Sequence, residues 1–257
     1  EYEEARAGLE RYEQLYQAVK NADEAVKKEL GKDSYTREDV AAINGTSVAM
    51  QQHKGILEQM FNFGASIDDV LEQIEAGLNY FNGQVNYHLN VDFDGRNVVG
   101  DDPYDINSRD YGNGDPMNRV EDESHGTHVA GIIAAERANG LGVDGVADHV
   151  RIMSIRAVPD GDEYDKDIAL AIRYAVDNGA RIINASFGKS YSPNKEWVYE
   201  AIKYAAKKNV LIVHAAGNDG LNLDDPSNPN YPNDQEATGP EFADNVLTVG
   251  SLDSSYG

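Results

Sequence analysis

Short, strongly apolar runs alternate with amphipathic helical patterns over residues 150–249, and that alternation constrains the fold more tightly than any other feature of the chain. The runs cover residues 150–155, 181–186, 210–215 and 246–249, each of a length that suits a buried strand. Between them, Ile168, Ile172 and Val176 recur at helical spacing along 166–178, and a second helical pattern occupies 195–208. Apolar strands separated by helices specify an α/β fold: a doubly wound, mostly parallel sheet covered on both faces. In such sheets a site forms beyond the carboxyl ends of the strands. The residues at those ends are Ser186-Phe187-Gly188 after one run and Ala215-Ala216-Gly217-Asn218 after the next.

Upstream lies Ser124-His125-Gly126-Thr127-His128-Val129-Ala130-Gly131, which continues into Ile132-Ile133-Ala134-Ala135. Ser124 suits an N-cap, and the small or apolar residues after it predict a buried helix that starts at a histidine. Gly126 and Gly131 weaken a helix, so their presence implies that something packs very close to it. A histidine held in the first turn of such a helix suits a general base, because imidazole accepts and returns a proton near neutral pH. Taken singly, a satisfied cap or core histidine is the simpler explanation of His125.

Residues 1–85 carry the helical period throughout and predict a helical subdomain. Leu9, Tyr12, Tyr16 and Val19 fall on one face of a first helix that fades at Leu30-Gly31. Thr36 with Asp39 reads as a capping box, and a third helix runs roughly over 47–61. A fourth starts at Ser66, with a stripe of Val70, Leu71, Ile74, Leu78 and Phe81. Gly45-Thr46-Ser47 mimics a glycine-flanked nucleophilic serine, but a plain N-cap explains the same letters.

Residues 86–123 turn to Asp, Asn, Gly and Pro. Carboxylate-dense loops of this kind bind calcium in some proteins, although the alternate-position spacing of an EF-hand is missing. Calcium is therefore left open, no other cofactor is demanded, and a solvated acidic loop is the simpler reading. The net charge of −23 argues against nucleic acid and anionic membranes as partners. With no cysteine there is neither a disulfide framework nor a thiolate metal site or nucleophile. No run of apolar residues is long enough to span a membrane.

In order along the chain, His125-Gly126-Thr127-His128-Val129-Ala130-Gly131, Asn184-Ala185-Ser186-Phe187-Gly188 and Ala215-Ala216-Gly217-Asn218-Asp219-Gly220 resemble the motifs of the subtilisin family of serine proteases, the subtilases. The resemblance covers roughly residues 87–253, and makes 86–257 a partial protease domain behind the helical segment. It implies a peptide or protein substrate, with His125 as general base and Asn218 as the oxyanion-hole side chain. Ser186, Phe187 and Gly188 would form the edge that pairs with an extended substrate, and Ala215, Ala216 and Gly217 would line the pocket for the side chain before the scissile bond. Small residues leave room for that side chain, and Gly188 permits a close backbone approach. No metal ligand set is implied.

Two parts of the pattern are missing. The family's serine follows a Gly-Thr well after the oxyanion Asn, whereas Ser251, Ser254 and Ser255 lack that context. The nucleophile is expected after Gly257. The family's aspartate ends an apolar strand before Ser-Gly or Thr-Gly; it is expected upstream of Glu1, with Asp94 as the alternative inside the chain. The chain then reads as an internal, inactive fragment of a secreted or periplasmic endopeptidase. A competing reading is a degenerate subtilase fold that binds proteins through its acidic helical insert.

Overall fold

The computed structural model describes residues 1–44, 47–117, 123–158, 161, 163–236 and 239–252. The chain divides into two compact units, Glu1–Gly95 and Arg96–Gly257.

The first unit is helical: α1 (Tyr2–Leu30), α2 (Arg37–Ala41), α3 (Val48–Met60) and α4 (Ile67–Gly83), the last continued by a π-helical turn over Gln84–His88. Local chemistry explains the boundaries. Gly31 adopts φ 62°, the left-handed conformation that ends α1, and its N–H donates to Lys27. Thr36 with Asp39, and Ser66 with Asp69, form reciprocal capping boxes at the starts of α2 and α4. Packing of α1 against α3 and α4 buries Val19, Ala22, Val26, Val40, Leu57, Ile67, Val70 and Ile74. Asp23 is buried within this unit, where it takes Lys27 at 2.8 Å and the Tyr35 hydroxyl at 2.7 Å, so no charge is stranded.

A short helix α5 (Gly95–Val99) leads into the second unit, which holds α6 (His125–Ala134), α7 (Asp165–Asp177) and α8 (Lys195–Lys207). Its sheet has three parallel strands in the order β1 (Ile182–Ala185), β2 (Leu211–Ala215) and β3 (Val246–Val249). Ile182 pairs with Leu211, and Ile212 with Val246, so alternate residues define two faces. One face, with Ala185, Ile212 and Val246, packs on Ile168, Ile172 and Val176 of α7 and Val198, Ala201, Ile202 and Ala205 of α8. The predicted stripe of α7 therefore lies in the core.

The opposite face is uncovered: Ile182, Leu211, Leu247 and Val249 remain 63, 37, 52 and 48% exposed. The chain thus holds an incomplete α/β fold with a helical N-terminal part. Residues 150–155, expected as a strand, form none. An apolar run becomes a strand only by pairing, and here Val150, Ile152 and Met153 stay 50, 49 and 41% exposed.

The expected burial of α6 is not met either. None of its residues is buried, and nothing among the described residues lies within 4 Å of a Cβ placed at Gly126 or Gly131. Ser124 holds the N-cap position without a side-chain hydrogen bond. What anchors α6 is its C-terminal end, where the N–H groups of Gly145, Val146 and Ala147 donate to the carbonyls of Ala135, Ile132 and Ile133 at 2.8–3.0 Å. Gly145 has to be glycine, because a Cβ there would sit 2.4 Å from the Ala135 nitrogen.

A buried ion cluster ties the acidic loop to α7. Lys166, 1% exposed, pairs with Asp101, which also takes Arg96; Arg96 bridges on to Asp167 at 2.6 Å. Burial alone would raise the Asp101 carboxyl, but the hydrogen bonds from Lys166 and Arg96 outweigh it and hold it below the ordinary carboxylate range. Among the described residues, no helix is long and apolar enough to cross a membrane.

Candidate functional site

The register sets the site. Ala185 lies beside His214, and Ala215 beside Val249, so 186–188 and 215–218 leave neighbouring parallel strands at the same, carboxyl, end. Side chains and backbone then fasten the two segments together. His214, 1% exposed at the centre of the sheet, has Nε2 2.9 Å from the Phe187 carbonyl oxygen. That contact fixes the tautomer with the proton on Nε2, donating to the carbonyl. Burial pushes the His214 imidazole below its ordinary 6.5, while the bond to Phe187 partly opposes the shift.

Asn230 supplies the second link. Its Nδ2 donates to the Ala215 carbonyl at 2.9 Å, and its Oδ1 lies 2.5 Å from where a Cβ on Gly188 would stand. That position would also be 3.2 Å from His214 Nε2, so only glycine fits between the two walls. Lys189 and Tyr231 close a reciprocal backbone bridge, with N–H to O distances of 3.1 and 2.8 Å. On the other wall, the Ala216 N–H donates to Val249 at 2.9 Å, and Gly217 turns the chain with φ 90°.

The individual residues are disposed as follows. Ser186 takes an Asn184 amide hydrogen bond at 2.8 Å and is half-buried; Phe187 packs against the core of α7 and α8. Ala215 and Ala216 are half-buried, while Gly188, Gly217 and Asn218 are exposed. An exposed carboxamide beyond a strand end is free to donate to an incoming oxygen. His125 is the first residue of α6, also exposed, and no strand or helix among the described residues packs extensively against α6. The structure therefore joins 186–188 to 215–218 but does not fasten His125 to them.

Two other candidates resolve locally. Ser47 spends its hydroxyl as the N-cap of α3, accepting from the Met50 N–H at 3.1 Å; Gly45 and Thr46 lie outside the described residues, as do Ser254 and Ser255. Asp94 is exposed just ahead of α5 and ends no strand. Among the described residues, no carboxylate hydrogen-bonds to His125, and no three or more His, Asp or Glu side chains converge as a metal site.

Sequence reasoning overlooked His214 and Asn230. For His214 there was a signal: it is the one polar residue in the run 210–215. Asn230 has none, because its role depends on a loop returning to the strand ends.

The subtilase family model matches residues 52–256, so the similarity extends further towards the N-terminus than the motifs do, into α3. A "Thermophilic serine proteinase" of Bacillus sp. (strain AK1) is 38% identical over 181 residues, which cover 70% of this chain and 37% of that protein. "Thermitase" of Thermoactinomyces vulgaris is 33% identical over 132 residues, or 51% of this chain and 42% of that one. The "Cell wall-associated protease" of Bacillus subtilis (strain 168) is 39% identical over 116 residues, 44% of this chain and 13% of the relative. The chain thus spans less than half the length of each of these relatives.

Proposed function

On the premise that this chain belongs to the subtilase family of serine proteases, we propose that it is the part of a subtilisin-like endopeptidase that supplies the general base, the oxyanion donor and the substrate-binding walls. The observation that carries this reading is the joined pair of strand ends, with 186–188 on one side and 215–218 on the other.

An extended peptide substrate lies along residues 186–188 as an added strand, and Gly188 lets its backbone approach. The side chain before the scissile bond enters the space left by Ala215, Ala216 and Gly217. A serine outside this chain gives its proton to His125 and attacks the carbonyl carbon. Asn218 donates to the oxygen as it becomes an oxyanion, a role for which an exposed amide on a turn anchored by a strand suits. His125 then returns the proton to the leaving amine, and water hydrolyses the acyl-enzyme. An aspartate, also outside the chain, orients the imidazole. The protein acts outside the cytoplasm, secreted, in the periplasm or at the cell surface, a reading that the cell-wall-associated relative supports.

The chain alone, lacking nucleophile and orienting acid, is inactive. The test compares hydrolysis of a fluorogenic peptide by this chain and by the full-length product of its gene. Cleavage by the full-length product alone supports the reading. If neither cleaves, the family fold serves instead as a protein-binding scaffold through its acidic helical unit.

A further inference from the structure

We propose that His214 is a positioning residue: from inside the sheet it holds the carbonyl of Phe187 and thereby sets the edge 186–189 along which a substrate backbone lies. The inference rests on the reading of that edge as substrate-binding, but its structural half stands on geometry alone. His214 is 1% exposed, on the middle strand, and reaches across to β1's outgoing segment rather than to its own. Its Nε2–H meets the Phe187 oxygen at 2.9 Å; its Nδ1 is buried with no protein partner among the described residues. A buried side chain with one polar bond, directed at a backbone atom of a predicted substrate wall, restrains that wall rather than filling space.

The consequence is directional. With the Phe187 carbonyl turned inward, this segment is held against β2 and cannot swing outward with its own loop. In that position Gly188 lies close beneath Asn230, and the Lys189–Tyr231 bridge begins one residue later. His214, Asn230 and the bridge therefore act in series. Of these three links, His214 is the one made from within the sheet by a titratable side chain.

The test uses this chain with two substitutions. His214→Gln keeps an N–H donor at about the reach of Nε2, whereas His214→Met fills the space without one. Hydrogen exchange is followed at the amides of Lys189 and Tyr231, which close the bridge, and at those of Ile212 and Ala216, which report on the sheet. The expected result is about tenfold faster exchange at Lys189 and Tyr231 in His214→Met, unchanged exchange at Ile212 and Ala216, and restoration by His214→Gln. Equal loosening at all four amides, or no rescue by Gln, would show that His214 only fills the core and would overturn the proposal. In the full-length product, His214→Met should raise KM for a peptide of four or more residues several-fold and leave a single-residue ester unaffected. If the full-length product cleaves neither substrate, the protease reading fails, and the exchange result still decides the role of His214.

Discussion

The ring of Tyr12 lies so close over Gly77 that a Cβ on that glycine would stand 2.1 Å from its Cε1 atom, and Phe81 covers Gly8 in the same way at 2.4 Å. Helices α1 and α4 are thus interlocked by reciprocal pairs of aromatic and glycine, with the two rings 5.3 Å apart. Helix propensity alone would favour alanine over glycine at any interior helical position by about 0.8–1.0 kcal/mol. At Gly77 overpacking, typically about 1–3 kcal/mol, wins. Gly77→Ala should therefore lower the thermal midpoint of the helical unit. Gly55→Ala on α3, where none of the described residues lies within 4 Å of the added Cβ, should raise it. Circular dichroism melts of the two variants check both signs.

Gly126 and Gly131 extend that comparison to α6. Among the described residues both positions are open, so Gly131→Ala should be neutral or stabilising by up to about 1 kcal/mol. Under the proposed function, the full-length product covers this helix, and the same substitution should reduce its peptide hydrolysis. Equal tolerance in both would mean that the helix is never closely packed.

The Asp101 cluster offers a third test. Asp101→Ala removes a carboxylate from beside a lysine that is 1% exposed, and breaking such a pair typically costs about 3–5 kcal/mol. The sign with pH follows from the lowered carboxyl. Its contribution is fully present above the unfolded value near 3.8 and is lost as pH falls through the lower folded value. Urea titrations from pH 7 downward should show the gap between the variant and the parent chain narrowing once the pH drops below about 3.8.

His214 weakens the fold in the same direction, on acidification, but because burial favours its neutral form. Because its folded value lies below 6.5, the unfolded chain binds the extra proton first, and stability declines as pH falls beneath 6.5. His214→Gln has no such proton to bind. Its midpoint relative to the unsubstituted chain should rise between pH 7.5 and pH 5, as measured by parallel thermal melts.

Much of this architecture was legible in the sequence because it is written locally. Gly31, Thr36 with Asp39, and Ser66 with Asp69 each work within four residues, and each cap was found where its letters stood. The stripe of α7, the helix over 195–208 and the strands in the runs 181–186, 210–215 and 246–249 also came through, since helical period and apolar runs need no partner to be seen. The failures share a cause. Residues 150–155 and the glycines of α6 carry the pattern of buried elements, yet burial depends on neighbours, and none of the described residues provides them. At the candidate site, Ser186, Gly188 and Ala215 could be placed at strand ends from spacing. The Asn230 link could not, because it joins residues 15 apart through an irregular loop.

The chemistry proposed for Asn218 has a defined size. In a subtilisin, loss of the equivalent amide donor costs about 2.7–4 kcal/mol of transition-state stabilisation, roughly 100- to 1000-fold in kcat. Asn218→Ala in the full-length product should fall in that range with KM little changed, measured on a chromogenic peptide.

The most direct measurement is active-site labelling with a fluorophosphonate, which forms a covalent bond only with a serine activated by a general base. The full-length product should label, His125→Ala should abolish the signal, and this chain by itself should stay dark. An unlabelled full-length product, or a labelled isolated chain whose signal disappears on Ser47→Ala, would contradict the assignment of His125 to a serine that lies outside this chain.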